Sequence, residues 1–323
     1  MTLVLVTEPE FRRAESVFAS ARGVQCTPAP REEAELARAV SDRGARYVVV
    51  GSYPYTSALY AALPRGGVIA RFGVGHDSVD KGKATSAGLL CTNTPGVLDQ
   101  SVAEHAMLLI LAAARHLVKN TSDMRAGTWE LGPQGTELRG KTLAVIGAGR
   151  IGRATACIAS QGFGMRVVGF RRSGAHGNAD FADVTTDFGA AVRGARFVSL
   201  HITAEAANRK FLNAERLAML PADAWLINTA RGAVVDEAAL YDALASRRLG
   251  GAALDVYERE PYAPGDPSRD FRALENVILT PHVGSHTHEA NRAMAERALE
   301  NIRLAEAGDF GAMDLLNPDV LSR

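Results

Sequence analysis

Short apolar runs alternate with stretches of helical spacing along almost the whole chain. The runs are Leu3–Val6, Tyr47–Val50, Val68–Ala70, Leu89–Cys91, Thr142–Ile146, Arg166–Phe170, Phe197–Leu200, Trp225–Asn228, Ala252–Asp255 and Val277–Thr280. Runs of this length read as buried strands. Their alternation with helical patterns predicts βαβ units and mostly parallel, helix-covered sheets. The strands fall into two sets. Between them Ser101–Val118 carries Ala103, Ala106, Met107, Ile110, Leu111 and Ala114 at helical spacing, with apolar residues nearly all round. That reads as a core or inter-domain helix, or as one with part of its surface against a second subunit. Gly127–Gly140 (GTWELGPQGTELRG) reads as a loop. A further amphipathic helix is predicted from about His288 to Ala307, with Thr287 as N-cap, Glu289 in the first turn and Gly308 as stop.

Composition narrows the class. At 323 residues the chain suggests two domains. Its 36 Lys+Arg balance 36 Asp+Glu, which removes the footprint of a polyanion binder or a polybasic membrane protein. Cys26, Cys91 and Cys157 form no CxxC pair, which speaks against a disulfide framework or a zinc module and suits a reducing cytoplasm. The start, MTLVLVTEPEF, reads as a first strand rather than a signal peptide. The longest uninterrupted apolar run, Ala106–Ala114, is too short to span a bilayer.

The first chemical signal follows the strand Thr142–Ile146: Gly147-Ala-Gly149-Arg150-Ile151-Gly152, a GxGxxG spacing. A tight strand–helix turn without a ligand can look the same, but the strand before it and the helical pattern after it are the context of a dinucleotide site. Gly147 would allow the tight turn, Gly149 the approach of backbone to a pyrophosphate, and Gly152 close helix–strand packing. The helix N-terminus would face the phosphates. About 20 residues on, where an NAD-selective site carries an acid, stand Arg171-Arg172-Ser173. Guanidinium forks suit a 2′-phosphate, so NADP(H) is expected over NAD(H), unless these are plain surface charges.

Three downstream segments hold polar groups at strand ends: Ile227-Asn-Thr229-Ala230-Arg231-Gly232, Ala253-Leu-Asp255-Val-Tyr-Glu-Arg-Glu260-Pro261 and Leu279-Thr-Pro-His282-Val-Gly-Ser285. Singly, each has a bland reading as surface arginine, loop acid or turn histidine. Together with the glycine loop, with Arg71-Phe-Gly-Val74-Gly75-His-Asp-Ser-Val-Asp80, Asn93-Thr-Pro-Gly96 and Ser101-Val-Ala-Glu104, they make a specific pattern. The sequence resembles the D-isomer-specific 2-hydroxyacid dehydrogenases over nearly its whole length. The resemblance implies that Arg231, Glu260 and His282 are catalytic. It also implies that Val74 and Gly75 amides hold the substrate carboxylate, with Asp255 on the nicotinamide carboxamide and Arg150, Ile151, Thr229 and Ala230 along the cofactor. The residue types fit: an arginine fork for carboxylate and developing alkoxide, a histidine to donate a proton near neutral pH, and a carboxylate to orient it.

The implied fold is α/β, with a Rossmann doubly wound parallel sheet (residues 98–286) inserted into a flavodoxin-like substrate-binding domain (1–97). A C-terminal helix in 287–323 returns to that first domain. Catalysis in a hinged cleft and a homodimer are further implications. Several positions depart from the pattern: no acid follows the second Rossmann strand, Thr203 replaces a common proline, and His286 replaces a small residue. Gly51-Ser-Tyr53-Pro-Tyr55 lacks the cation that phosphoglycerate dehydrogenases tend to carry there, and Val74 stands where phosphite dehydrogenases have lysine. A small uncharged keto acid, glyoxylate or hydroxypyruvate, is therefore expected, with Tyr53 as a pocket wall. Bulkier aliphatic or aromatic keto acids and a phosphoglycerate dehydrogenase-like activity are the alternatives. A dinucleotide-sensing corepressor-like binding protein is the rival from another class. His282, His286 and His288 straddle a proline-containing loop and a helix start with no HExxH, so no metal site is expected. His76, His105, His116, His176 and His201 show no partner pattern and read as structural or exposed.

Overall fold

The computed structural model describes residues 1–174 and 179–322; His176 lies outside the described residues. The chain forms two compact units, Met1–Leu98 with His286–Arg323, and Asp99–Ser285.

The first unit holds a five-stranded parallel sheet. Its strands are β1 (Thr2–Thr7), β2 (Val24–Ala29), β3 (Tyr47–Val50), β4 (Val68–Arg71) and β5 (Leu90–Thr92), in the order β2-β1-β3-β4-β5. The central strands are apolar over most of their length because helices cover both faces; all four residues of β3 are buried. Strand β2 escapes the hydrophobic pattern because VQCTPA neither alternates nor runs apolar. It lies at the sheet edge, where Pro28 is tolerated without an outward amide. The helix His288–Ala307 forms as its caps predict: the Thr287 hydroxyl accepts from the Ala290 amide at 3.1 Å, and Gly308 ends it at φ +74°. Its Asn301, fully buried, donates to the Asn93 carbonyl at 3.2 Å.

The second unit holds a seven-stranded parallel sheet. Its strands are β6 (Thr142–Ile146), β7 (Arg166–Phe170), β8 (Asp183–Thr185), β9 (Ala195–Leu200), β10 (Trp225–Asn228), β11 (Gly251–Leu254) and β12 (Val277–Leu279). The order β12-β11-β10-β9-β6-β7-β8 reverses direction between β6 and β9. Open sheets of this kind bind ligands outside the strand C-termini at such a reversal. The three-residue edge strand β8 is too short to register in the sequence pattern.

The helix expected over Ser101–Val118 is two helices, Asp99–Ala114 and Leu117–Arg125, bent by 63°. His116 stands between them at φ +50°. The 127–140 loop returns to this break, and the Thr136 amide donates to the Ala114 carbonyl at 2.8 Å, satisfying a carbonyl the helix end leaves open. Among the described residues no single helix is long and apolar enough to cross a membrane.

Candidate active site

Strands β10, β11 and β12 are neighbours, so the residues just past their C-termini share one edge of the second unit's sheet. Past β10, the buried Asn228 pins the turn: its Oδ1 accepts from the Ala230 amide and its Nδ2 donates to the Arg231 carbonyl, both at 3.0 Å. Gly232 explains why this turn can lie against the next loop. A Cβ there would sit 1.8 Å from the Tyr257 carbonyl carbon. Arg231 is half-buried and donates from Nη1 to the Ala230 carbonyl at 2.7 Å.

Past β11, the Tyr257 hydroxyl is 2.9 Å from the carbonyl oxygens of both Leu254 and Thr280, tying the β11 and β12 loops together. The Tyr257 amide donates to Glu260 Oε1 at 3.1 Å, which aims the other carboxylate oxygen. That oxygen, Oε2, lies 2.7 Å from His282 Nδ1. His282, past β12, has a left-handed backbone at φ +54°, and its amide donates to the Asp255 carbonyl at 2.8 Å.

Asp255 is 1% exposed and fully engaged. Its Oδ1 accepts from the Thr280 hydroxyl at 2.6 Å and the Val283 amide at 2.9 Å, and its Oδ2 from the Gly284 amide at 2.8 Å. His105 Nε2 approaches Oδ1 at 3.4 Å. Burial alone pushes this carboxyl upward; the His105, Thr280 and Val283 donors outweigh it and bring it down to about 2. Nearby, burial raises the Glu237 carboxyl, which accepts from the Glu258 amide at 2.7 Å.

The glycine loop fits a dinucleotide for separable reasons. Gly147 turns at φ +105°, with an added Cβ only 2.6 Å from the His201 carbonyl oxygen. Gly152 packs so closely that a Cβ would meet the Gly147 carbonyl oxygen at 2.1 Å. Gly149, by contrast, faces open space, with nothing within 4 Å of an added Cβ. No packing demands glycine there, whereas a phosphate approaching the backbone at a helix N-terminus does. The helix begins at Arg150, whose side chain pairs with Asp99 at 2.7 Å, and Ile151 is half-buried beside it. Thr229 Oγ1 is buried with no hydrogen-bond partner among the described residues, a polar atom suited to a bound ligand. Past β7, Arg171 is half-buried and its amide donates to the Thr185 carbonyl at 3.1 Å. Arg172 is exposed and pairs loosely with Glu205 at 3.5 Å; Ser173 is exposed. Under the loop, burial lowers His201 to about 4, and its Nε2 lies 2.9 Å from Ser199 Oγ.

In the first unit, Val74 and Gly75 follow β4 and are half-buried. Asn93 Nδ2 donates to the Val74 carbonyl at 2.7 Å, and the Thr94 amide donates to the Gly73 carbonyl at 3.1 Å, so this loop has a defined shape. Tyr53 is at the surface, edge-on to Tyr55 with ring centres 5.9 Å apart. The 51–55 segment has no cation of its own, but Arg31 places its guanidinium 5.8 Å over the Tyr53 ring. His286 Nδ1 lies 3.3 Å from Asn291 Nδ2. Among the described residues no group of three or more His, Cys, Asp or Glu could hold a metal ion.

The sequence pattern holds Thr280, Asn228, Asn93 and Gly232 within its segments but gives them no role, and it leaves His105 out. His105 reads as partnerless in sequence because its partners, Asp255 and Thr280, lie far along the chain. Asn228 sits next to Thr229 and Arg231, and an Asx turn at a strand end was the signal that could have found it.

Residues 107–284 match the family model described as "D-isomer specific 2-hydroxyacid dehydrogenase, NAD binding domain". A glyoxylate reductase of Thermococcus litoralis is 37% identical over 268 residues, 80% of this chain and 79% of that protein. A hydroxypyruvate reductase of Thermotoga maritima is 35% identical over 301 residues, 93% of this chain and 96% of that protein. Among solved structures, an NADPH-dependent glyoxylate/hydroxypyruvate reductase of Sinorhizobium meliloti superposes with a TM-score of 0.78 at 28% identity, covering 94% of each chain.

Proposed function

The chain belongs to the D-isomer specific 2-hydroxyacid dehydrogenases, and on that premise we propose that it reduces a small 2-keto acid, glyoxylate or hydroxypyruvate, to the D-2-hydroxy acid with NADPH. The observation that carries this reading is the His282 Nδ1 to Glu260 Oε2 contact of 2.7 Å, on strand ends next to the one that bears Arg231.

Arg231 is a planar fork of donors, which suits the substrate carboxylate and offsets the charge that grows on the keto oxygen. His282 commits Nδ1 to Glu260, which leaves Nε2 to hold a proton and give it to that oxygen. The Glu260 carboxylate keeps the ring oriented and balances its charge while it is protonated. In the first unit we assign the substrate carboxylate to the Val74 and Gly75 amides, on a loop fixed by Asn93. The dinucleotide, when bound, supplies the hydride. Gly147, Gly149, Arg150, Ile151 and Gly152 would hold its pyrophosphate, Thr229, Ala230 and Asp255 its nicotinamide end, and Arg171, Arg172 and Ser173 its 2′-phosphate.

We also place the protein in the cytoplasm, on its three free cysteines. We assign it as a homodimer, because Leu108, Leu117, Val118, Met124, Trp129 and Leu131 each leave half or more of their surface exposed. Light scattering on the wild type and a W129R/L131D variant tests the dimer: the variant should be monomeric, and a monomeric wild type overturns the assignment.

Steady-state rates with NADPH and NADH against glyoxylate, hydroxypyruvate, pyruvate and longer keto acids test the activity. The two small acids with NADPH should be the best pair. No oxidation of either dinucleotide with any of these acids would sink the enzyme reading and favour a dinucleotide-sensing binding protein.

A further inference from the structure

The proposed proton donor His282 stands on a turn with a left-handed backbone, which a non-glycine residue adopts only when its surroundings hold it there. The hold comes from Asp255. Its carbonyl takes the His282 amide, and its carboxylate takes the amides of the next two residues, Val283 and Gly284. A carboxylate can hold two consecutive amides in register only if it cannot rotate. Thr280, just past β12, restrains it at 2.6 Å. From outside these strands, His105 on the helix Asp99–Ala114 reaches in with Nε2 at 3.4 Å from Asp255 Oδ1 and 3.3 Å from Thr280 Oγ1.

The packing around this contact leaves little slack. His105 has a side chain 11% exposed and Asp255 one of 1%. A Cβ on Gly284 would lie 3.1 Å from Asp255 Oδ2 and 3.6 Å from His105 Cδ2, so the turn lies directly against both groups.

We propose that His105 is a positioning residue for the proton donor: it fixes the Asp255 carboxylate, which fixes the turn that aims His282 at Glu260 and at the substrate. This rests on the assignment of His282 as donor under the proposed function. His105 touches neither substrate nor reacting atoms in this account. Its effect should appear in the chemical step and not in keto-acid binding, because misplacing a catalytic group by about 1 Å can slow a reaction by up to about 100-fold.

The test compares the wild type with His105→Met, which keeps the bulk and loses the ring nitrogen, and His105→Gln, which returns an N–H donor. The assay is steady-state reduction of glyoxylate and hydroxypyruvate. For His105→Met, kcat should fall by about tenfold while the keto-acid KM stays within about twofold. His105→Gln should recover a large part of the lost kcat. A His105→Met kcat within about twofold of wild type overturns the proposal, as does a His105→Gln variant no faster than His105→Met. Should His105→Met fail to fold, His105→Phe keeps a planar ring and loses the nitrogen, and a kcat within about twofold of wild type there overturns the proposal equally. No turnover by the wild type overturns the reductase reading and this assignment with it. Turnover by the wild type with an indifferent His105 overturns this assignment alone.

Discussion

Replacing Gly149 by alanine separates a glycine kept for a ligand from one kept for the fold. Gly149 caps the helix Arg150–Cys157 at φ −79°, a conformation that any L-residue adopts. An added methyl meets nothing within 4 Å. Alanine is a poorer N-cap than glycine but reduces the freedom of the unfolded chain, and the two effects offset each other to within about 1 kcal/mol. The melting temperature should therefore move by no more than about 3 °C. The same methyl would occupy the space that we assign to the pyrophosphate. Forcing a methyl into a packed contact costs about 1–3 kcal/mol, so dinucleotide binding should weaken by roughly 5- to 150-fold. Gly152→Ala makes the contrast, because its Cβ would meet the Gly147 carbonyl oxygen at 2.1 Å and backbone cannot step aside cheaply. It should lose both binding and thermal stability. Fluorescence titration with NADPH and a thermal melt of each variant check this. Unchanged binding by Gly149→Ala, or a stability loss as large as that of Gly152→Ala, would refute the cradle.

Other residues make equally direct predictions. Glu260→Gln removes a charge-assisted partner of His282, a type of bond worth about 1.5–3 kcal/mol. Both side chains are near one-third exposed, at 31% and 32%; solvent reduces the effect to about 1 kcal/mol or somewhat more, so kcat should fall by about 5- to 10-fold in steady-state assays. Arg171→Asp should move the NADPH/NADH ratio of kcat/KM toward NADH by about tenfold or more, and an unmoved ratio would make the arginine a surface charge. The Asp255 carboxyl is depressed to about 2 in the folded chain. Its contribution of up to about 2–3 kcal/mol is thus present above its ordinary value near 4 and lost as pH falls through about 2. Denaturant titrations between about pH 5 and pH 2 should show a shallower loss for Asp255→Asn than for the wild type; parallel curves contradict the linkage.

Much of this fold is legible in the sequence wherever a strand is apolar over most of its length. Tyr47–Val50, Thr142–Ile146, Arg166–Phe170 and Trp225–Asn228 stand at the bounds that the pattern predicts. The edge strands Val24–Ala29 and Asp183–Thr185 were not legible, because an edge is half-solvated and permits Pro28 or a run of three. The helix break at His116 was hidden for another reason: it is stabilised by the 127–140 loop, through the Ala114 carbonyl, and not by any local breaker. Arg231, Glu260 and His282 emerge from their motifs and the resemblance, since their residue types match the chemistry. The surrounding support does not. His105 reaches Thr280 across 175 positions and the Val283 amide reaches Asp255 across 28, distances at which no periodicity carries information. The NADP(H) expectation rests on Arg171 and Arg172, and Glu205 beside Arg172 adds a competing charge that sequence order does not reveal.

Single-turnover reduction of glyoxylate by His282→Ala with bound NADPH tests most directly whether His282 is the proton donor. With His282 as donor, the rate should be lower by about 100-fold or more, with NADPH bound as tightly as by the wild type to within about twofold. A His282→Ala enzyme that binds NADPH and reduces glyoxylate at the wild-type rate would contradict that role.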